Sequence, residues 1–413
     1  MYTLLINRNF VQLWFHNITK ILNERFRELI IPIVVLGLTQ SPLATALVML
    51  SQQLGAILLA IPVGTWVENK NLLKVARTSQ FLYACLVFLL AYFIAVETVH
   101  ALFIAVLLFI MGIVGLVHGT VFQAMVPRVV GRKRLLSAHN LLEAADAIVT
   151  LIGPALGGIL LARYGASPTL MICGLLLFTS VIFLSFVRAE TVVETRDAAL
   201  PLKKRVSEFW LRSQEGVQYL FANSAQKAAI CTAVALGFTT IFMSLSVIFH
   251  GRTTLGFNEA EIGLLLSCAG IGNIIGVLIM KRFKQVNWLY FLTGLLIVAG
   301  LGASFLLVPV FVVMCVGMIL FDGALSMGFV AQITVQQGIT PDSALARVRS
   351  ATTVISGVVT LCATFLSGLF AEWNSYIALG FGASMLVSAG FFILKYKKSG
   401  IPLDQIKPIN KTN

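Results

Sequence analysis

Hydrophobic residues run through this chain in blocks of about twenty, each closed by charges, Gly, Pro or Asn, and a block of that length suits a helix crossing a hydrocarbon layer of about 30 Å. The pattern predicts helical spans over 10–37, 43–66, 75–96, 101–125, 137–162 and 167–187, then over 227–249, 259–280, 287–305, 308–332, 350–371 and 375–394. The alternating strands of about ten residues that build a membrane barrel are absent from the pattern. The expected fold class is an all-α membrane protein with twelve transmembrane helices in two six-helix bundles. The boundaries follow: an N-terminal bundle over 1–187, a cytoplasmic linker with an amphipathic helix over 188–225, a C-terminal bundle over 226–396 and a basic tail over 397–413.

Composition sharpens this picture. Of 413 residues, 58% are hydrophobic and 11% charged, against about 25% charged in a soluble domain. A large soluble enzyme domain and a disulfide-stapled secreted module are excluded. The net charge of +13 suits nucleic acid at first sight, but the basic residues cluster between apolar runs. Twenty-five of the 30 lie on the side that carries the termini, two (Arg163 and Arg252) on the other, and three in the first span. That asymmetry places both termini in the cytoplasm and the chain in the inner (cytoplasmic) membrane, with the lipid bilayer as partner and no nucleic acid. The six cysteines lie inside apolar runs without metal-like spacing, so they read as packing residues, with no metal and no cofactor expected. The N-terminus lacks the order of a cleavable signal, so the first span is expected in the mature protein.

The first span is the anomaly. It carries His16, Asn17, Lys20, Asn23, Glu24, Arg25, Arg27 and Glu28 within thirteen residues, and each central charge costs about 2.5–3.5 kcal/mol on the lenient insertion scale. At about 100° per residue all but Arg25 share an arc of roughly 140°. Arg25 is expected to pair with Glu28 or a neighbouring helix. One reading makes Lys20–Glu24, Glu24–Arg27 and Arg25–Glu28 self-neutralising pairs that ease insertion. Another lays the segment on the membrane surface, at odds with the loop charges. The functional reading makes the arc a wet, substrate-facing stripe. Glu24, Asp146 in the fifth span and Asp322 in the tenth are candidate proton-coupling groups, because burial lets a carboxyl hold or release a proton near neutral pH. Lys20, Arg27, Asn23, His16, Glu28 and Asn17 are the candidate substrate-binding residues. Glu143 is open to a loop salt bridge with Arg132, Lys133 or Arg134. His118 and the glutamines of the second, fourth and tenth spans read as helix-to-helix hydrogen bonds.

Several short motifs then carry a resemblance. Leu13-Trp14, Asn23-Glu24 and Pro32 are followed by Met125-Val126-Pro127, Leu135-Leu136, Ala138 and Asn140. Gly153-Pro154-Ala155-Leu156-Gly157-Gly158, Glu215-Gly216 and Gly270-Ile271-Gly272 with Gly276 complete the series. In this order they resemble the major facilitator superfamily over nearly the whole chain, and within it the drug-exporter branch of macrolide-efflux proteins and enterobactin exporters. The resemblance implies that the first, fourth, seventh and tenth spans line a central path. It also implies a gating role for Gly64 and Glu68 in the loop after the second span, and for Gly153, Pro154, Gly157 and Gly158 in an antiporter-like motif. Asn69 stands where the superfamily has Arg, and Leu72-Leu73 where it has basic residues, so a latch built on them is in doubt.

No nucleotide-binding, zinc or nucleophile-elbow motif appears, and no enzyme activity is expected. The expected function is secondary active export of a small organic molecule by alternating access and proton antiport, by a monomer. The first-span arc turns net positive when Glu24 takes a proton, which favours an anionic, siderophore-like metabolite. A multidrug pump for cationic amphipathic drugs is the alternative, with a lipid-like flippase or a non-transporting scaffold further behind.

Overall fold

The computed structural model describes residues 7–68, 70–96, 100–131, 134–188, 202–221, 223–283 and 285–405. Each apolar block folds as helix: α1 (Arg8–Thr39), α2 (Pro42–Leu58), α3 (Ala60–Glu68), α4 (Leu72–Ala95), α5 (Ala101–Val130), α6 (Leu135–Tyr164) and α7 (Ala166–Phe186). The linker helix α8 (Leu202–Leu220) precedes α9 (Ser224–Phe249), α10 (Glu259–Met280), α11 (Trp288–Phe305), α12 (Phe311–Ile339), α13 (Asp342–Trp373) and α14 (Ser375–Ile393). Ten helices among the described residues are long and apolar enough to cross a membrane. The expected count of twelve is not met on that measure: five charges crowd the middle of α1, and α2 has only 17 residues. The second block breaks in two because Pro62 has no N–H for the Leu58 carbonyl, and the helix ends there.

Polar side chains start the helices where the sequence placed Asn and Ser. Asn7 accepts from Phe10 N–H at 2.7 Å, Ser41 from Ala44 N–H at 3.1 Å and Asn223 from Gln226 N–H at 2.8 Å, each satisfying an orphan amide. Asn258 and Glu261 bond each other's backbone amides at 2.8 and 2.9 Å in a reciprocal cap for α10.

Two compact units result, one of Met1–Leu202 with Asn258–Ser267, the other of Lys203–Phe257 with Cys268–Asn413. In the first, α1 packs on α6 and α7, α2 on α5, and α4 on α5 and α7. Its core includes Leu13, Val121, Met125 and Leu184. Backbones approach closely where side chains vanish: a Cβ on Gly112 would meet the Gln52 carbonyl, and one on Gly55 the Phe109 carbonyl. In the second unit α11 packs on α12 and α14, and α9 on α12, α13 and α14, around the rings of Phe238, Phe242, Phe370 and Phe381. The C-terminal end of α8 docks on α13, with Tyr219 and Leu220 packed against Ala344, Val348 and Ala351 and Arg347 bonded to Glu215 at 3.1 Å. Large apolar side chains such as Leu102, Leu278, Val312 and Trp373 are two-thirds exposed or more, as in a surface that meets lipid rather than water.

Candidate functional site: the charged stripe of α1

Rotation and depth along α1 together divide its polar arc, with Asn17, angularly between Glu24 and Glu28, covered near the helix start. His16, Asn17, Asn23 and Arg27 are buried within the unit, whereas Lys20, Glu24 and Arg25 are partly open and Glu28 is exposed. On the open edge Lys20 Nζ donates to Glu24 Oε1 at 2.8 Å, one turn apart. Arg25 bonds both Glu28 at 2.9 Å and Asp146 of α6 at 3.4 Å, the two partners expected as alternatives. The Glu24–Arg27 pair does not form among the described residues. Asp146 is thus held by a cation, while Glu143 is exposed.

Small residues of α6 let α1 approach. A Cβ on Gly153 would stand 2.8 Å from Arg25 Cβ, and one on Gly157 3.1 Å from the Phe26 ring. Gly158 faces the first turn of α10 in the same way, where an added Cβ would meet the Glu259 carbonyl. Pro154 lies inside α6 without breaking it, and the next amide, Ala155 N–H, donates to Ser267 Oγ of α10 at 2.8 Å. Gly64 and Glu68 lie in α3, but their surroundings fall outside the described residues, as do Asn69, Arg132, Lys133 and the side chain of Asn140.

The buried edge is tied down by residues that are isolated polar points in apolar runs. His16 Nε2 and His118 Nε2 are 3.1 Å apart, one donating to the other. His118 Nδ1 bonds Ser79 Oγ at 3.3 Å. On the far side of His16, its Nδ1 bonds Ser180 Oγ, which accepts from Gln80 Nε2 at 3.1 Å. A ring of hydrogen bonds therefore joins α1, α4, α5 and α7 at one level. About three turns further along α1, the Arg27 guanidinium lies 4.8 Å from the centre of the Tyr83 ring, a cation–π contact. Ser79, Gln80, Tyr83 and Ser180 were missed from sequence, since a single Ser or Tyr in an apolar block gives no periodic signal. His118 bonds a neighbouring helix as expected. In the second unit Asp322 is half-buried in α12 beside Gly323, which packs against Gly272 of α10.

Apolar helices in succession, with paired charges halfway along the first, define a polytopic helical membrane protein. The chain is a member of the Major Facilitator Superfamily, whose family model matches residues 22–370. Among curated proteins it is similar to a staphyloferrin A transporter of Staphylococcus aureus, 25% identical over 245 residues, or 58% of each chain. It is equally similar to the multidrug efflux pump Tap of Mycolicibacterium fortuitum, 25% identical over 265 residues, which is 62% of this chain and 63% of the other. The chain thus matches less than two-thirds of the length of either relative. A bacterial homologue of the iron transporter ferroportin shares the fold at TM-score 0.72 with 14% identity, covering 94% of this chain and 98% of that one. The nucleoside transporter NupG does so at 0.70 with 12% identity, covering 95% and 100%.

Proposed function

We propose that the protein exports a small organic molecule from the cytoplasm by alternating access in exchange for protons, and that the Lys20–Glu24 ion pair is where the two ligands meet. The observation that carries this reading is a 2.8 Å ion pair, partly open, in the middle of α1, the first helix of an otherwise apolar bundle. A pair with no role in transport would be replaced at lower cost by leucine. A substrate bearing an anionic group takes the Lys20 ammonium from Glu24. In the proton-loaded form Glu24 is neutral and the ion pair is open; a donor or cationic group on the same molecule binds the Glu24 carboxylate as that proton leaves, so proton and substrate compete for one group and move in opposite directions. A siderophore-like metabolite has such a combination of groups, and the likeness to a staphyloferrin A transporter supports it. Glu28, which is 61% exposed, extends the same open edge. Asp322 and the Arg25-bound Asp146 are the further proton-coupling candidates.

A second reading, efflux of cationic amphipathic drugs, is favoured by the same open carboxylates and by the likeness to Tap. In it the cation replaces Lys20 beside Glu24 and Lys20 makes no contact with substrate. The basic loops argue for cytoplasmic termini in either case. A deletion strain grown in iron-poor medium, with siderophore assayed in the culture fluid, and then challenged with a drug panel, separates the two. The first reading expects less siderophore outside and unchanged drug tolerance; the reverse pattern selects the second.

A further inference from the structure

The linker helix α8 is held on one face. Tyr219 and Leu220 pack against Ala344, Val348 and Ala351 of α13, a Cβ on Gly216 would meet the Arg347 carbonyl, and Glu215 is bonded to Arg347 at 3.1 Å. The other face looks outward. Taking Trp210 as zero at about 100° per residue, Phe221, Gln214, Ser207, Gln218 and Leu211 fall at roughly 20°, 40°, 60°, 80° and 100°, and all six are exposed. Phe221 continues the helix, its N–H donating to the Val217 carbonyl at 3.1 Å. Trp210, Leu211 and Phe221 are 51%, 57% and 51% exposed, so three large apolar side chains share one arc of a helix that lies outside the apolar blocks. The register places Lys203 and Lys204 along the same arc, at about 20° and 120°, with Glu215 and Glu208 beyond it at roughly 140° and 160°. In all, α8 carries four basic residues against two acidic, and one of the acids is the Glu215 bound to Arg347.

We propose that this outward face of α8 docks on the headgroup layer of the bilayer and that its partner is anionic phospholipid. Trp, Phe and Leu side chains along a polar helix settle at the boundary between headgroups and acyl chains, and ammonium groups beside them meet lipid phosphates. A soluble protein partner needs a broader apolar patch than three side chains supply, whereas lysines with no acid among them match an anionic surface. Because Glu215 and Gly216 grip Arg347, the lipid-bound helix holds the first turns of α13 at the membrane surface. That the leaflet is the cytoplasmic one rests on the loop charges; the lipid contact does not.

The test uses the full-length protein in a cysteine-free background, spin-labelled at Gln214→Cys, in nanodiscs of phosphatidylcholine alone or mixed with phosphatidylglycerol. Nanodiscs expose both bilayer faces, so the result is independent of orientation and of transport. In discs with phosphatidylglycerol the label should be shielded from a water-soluble relaxation agent and reached by oxygen, and in phosphatidylcholine it should be largely exposed to water. Lys203→Gln with Lys204→Gln should lower the ratio of shielded to exposed label in the anionic discs at least about tenfold, the loss expected for two basic residues at an anionic surface. Trp210→Ser with Leu211→Ser should expose the label in both lipids. A label exposed to water in both lipids, shielded equally in both, or shielded in either double variant as in the parent would overturn the proposal, and the first of these results would leave the face to a soluble protein partner.

Discussion

At the scale of single residues, Glu24 is the group on which the proposed coupling depends. Its carboxylate stands 2.8 Å from Lys20 in a helix where every uncompensated charge is costly. Glu24→Gln keeps the size and a hydrogen-bonding end but cannot carry a proton, so the variant should fold and lose transport driven by a pH gradient, with Asp322→Asn the next most damaging change. If both variants transport at the wild-type rate, coupling lies elsewhere and Asp146 is the candidate. The buried edge makes a different demand. His118→Leu would leave His16 Nε2 without its partner in a fully buried place, at a cost of about 1–3 kcal/mol, read as a lower melting temperature. That α1 is polar on one side was legible from spacing alone. Which part of the arc opens and which turns inward was not, because the rotation is set by Tyr83, His118 and Ser180 on three other helices, and one sequence does not reveal which helices meet.

At the scale of helices, the sequence was most informative where an apolar block has chemical punctuation. The tenth helix runs Glu259–Met280, as its block predicts, between an Asn-Glu cap and a basic turn. The second block misled because its break comes from Pro62 acting one turn back, inside a run that is apolar throughout. Close approaches are equally hidden: Gly112 is one glycine among 33, yet only there would a Cβ collide with the backbone at Gln52. Gly112→Leu should therefore cost more than the about 1–3 kcal/mol usual for overpacking, since a helix backbone rather than a side chain must yield. Loss of monodisperse protein on size-exclusion chromatography checks this. Gly380, which has open space around it, should accept Ala with a melting temperature near wild type.

At the scale of the whole molecule, the proposed function rests on the loop charges for its direction and on the stripe in α1 for its chemistry. Single cysteines placed at Glu97 and Glu372 in a cysteine-free background should react with an impermeant thiol reagent from outside the cell, and those at Lys133 and Lys203 should not. Reversed labelling would remove the direction of export. Exchange of substrate for protons at the Lys20–Glu24 pair is read most directly in proteoliposomes with an acidic lumen. Wild type should accumulate its substrate, found among staphyloferrin A and the drug panel, and release luminal protons as it does so. Accumulation should collapse when the gradient is dissipated and be absent in Glu24→Gln. Equal accumulation with and without the gradient, or by wild type and Glu24→Gln alike, would contradict it.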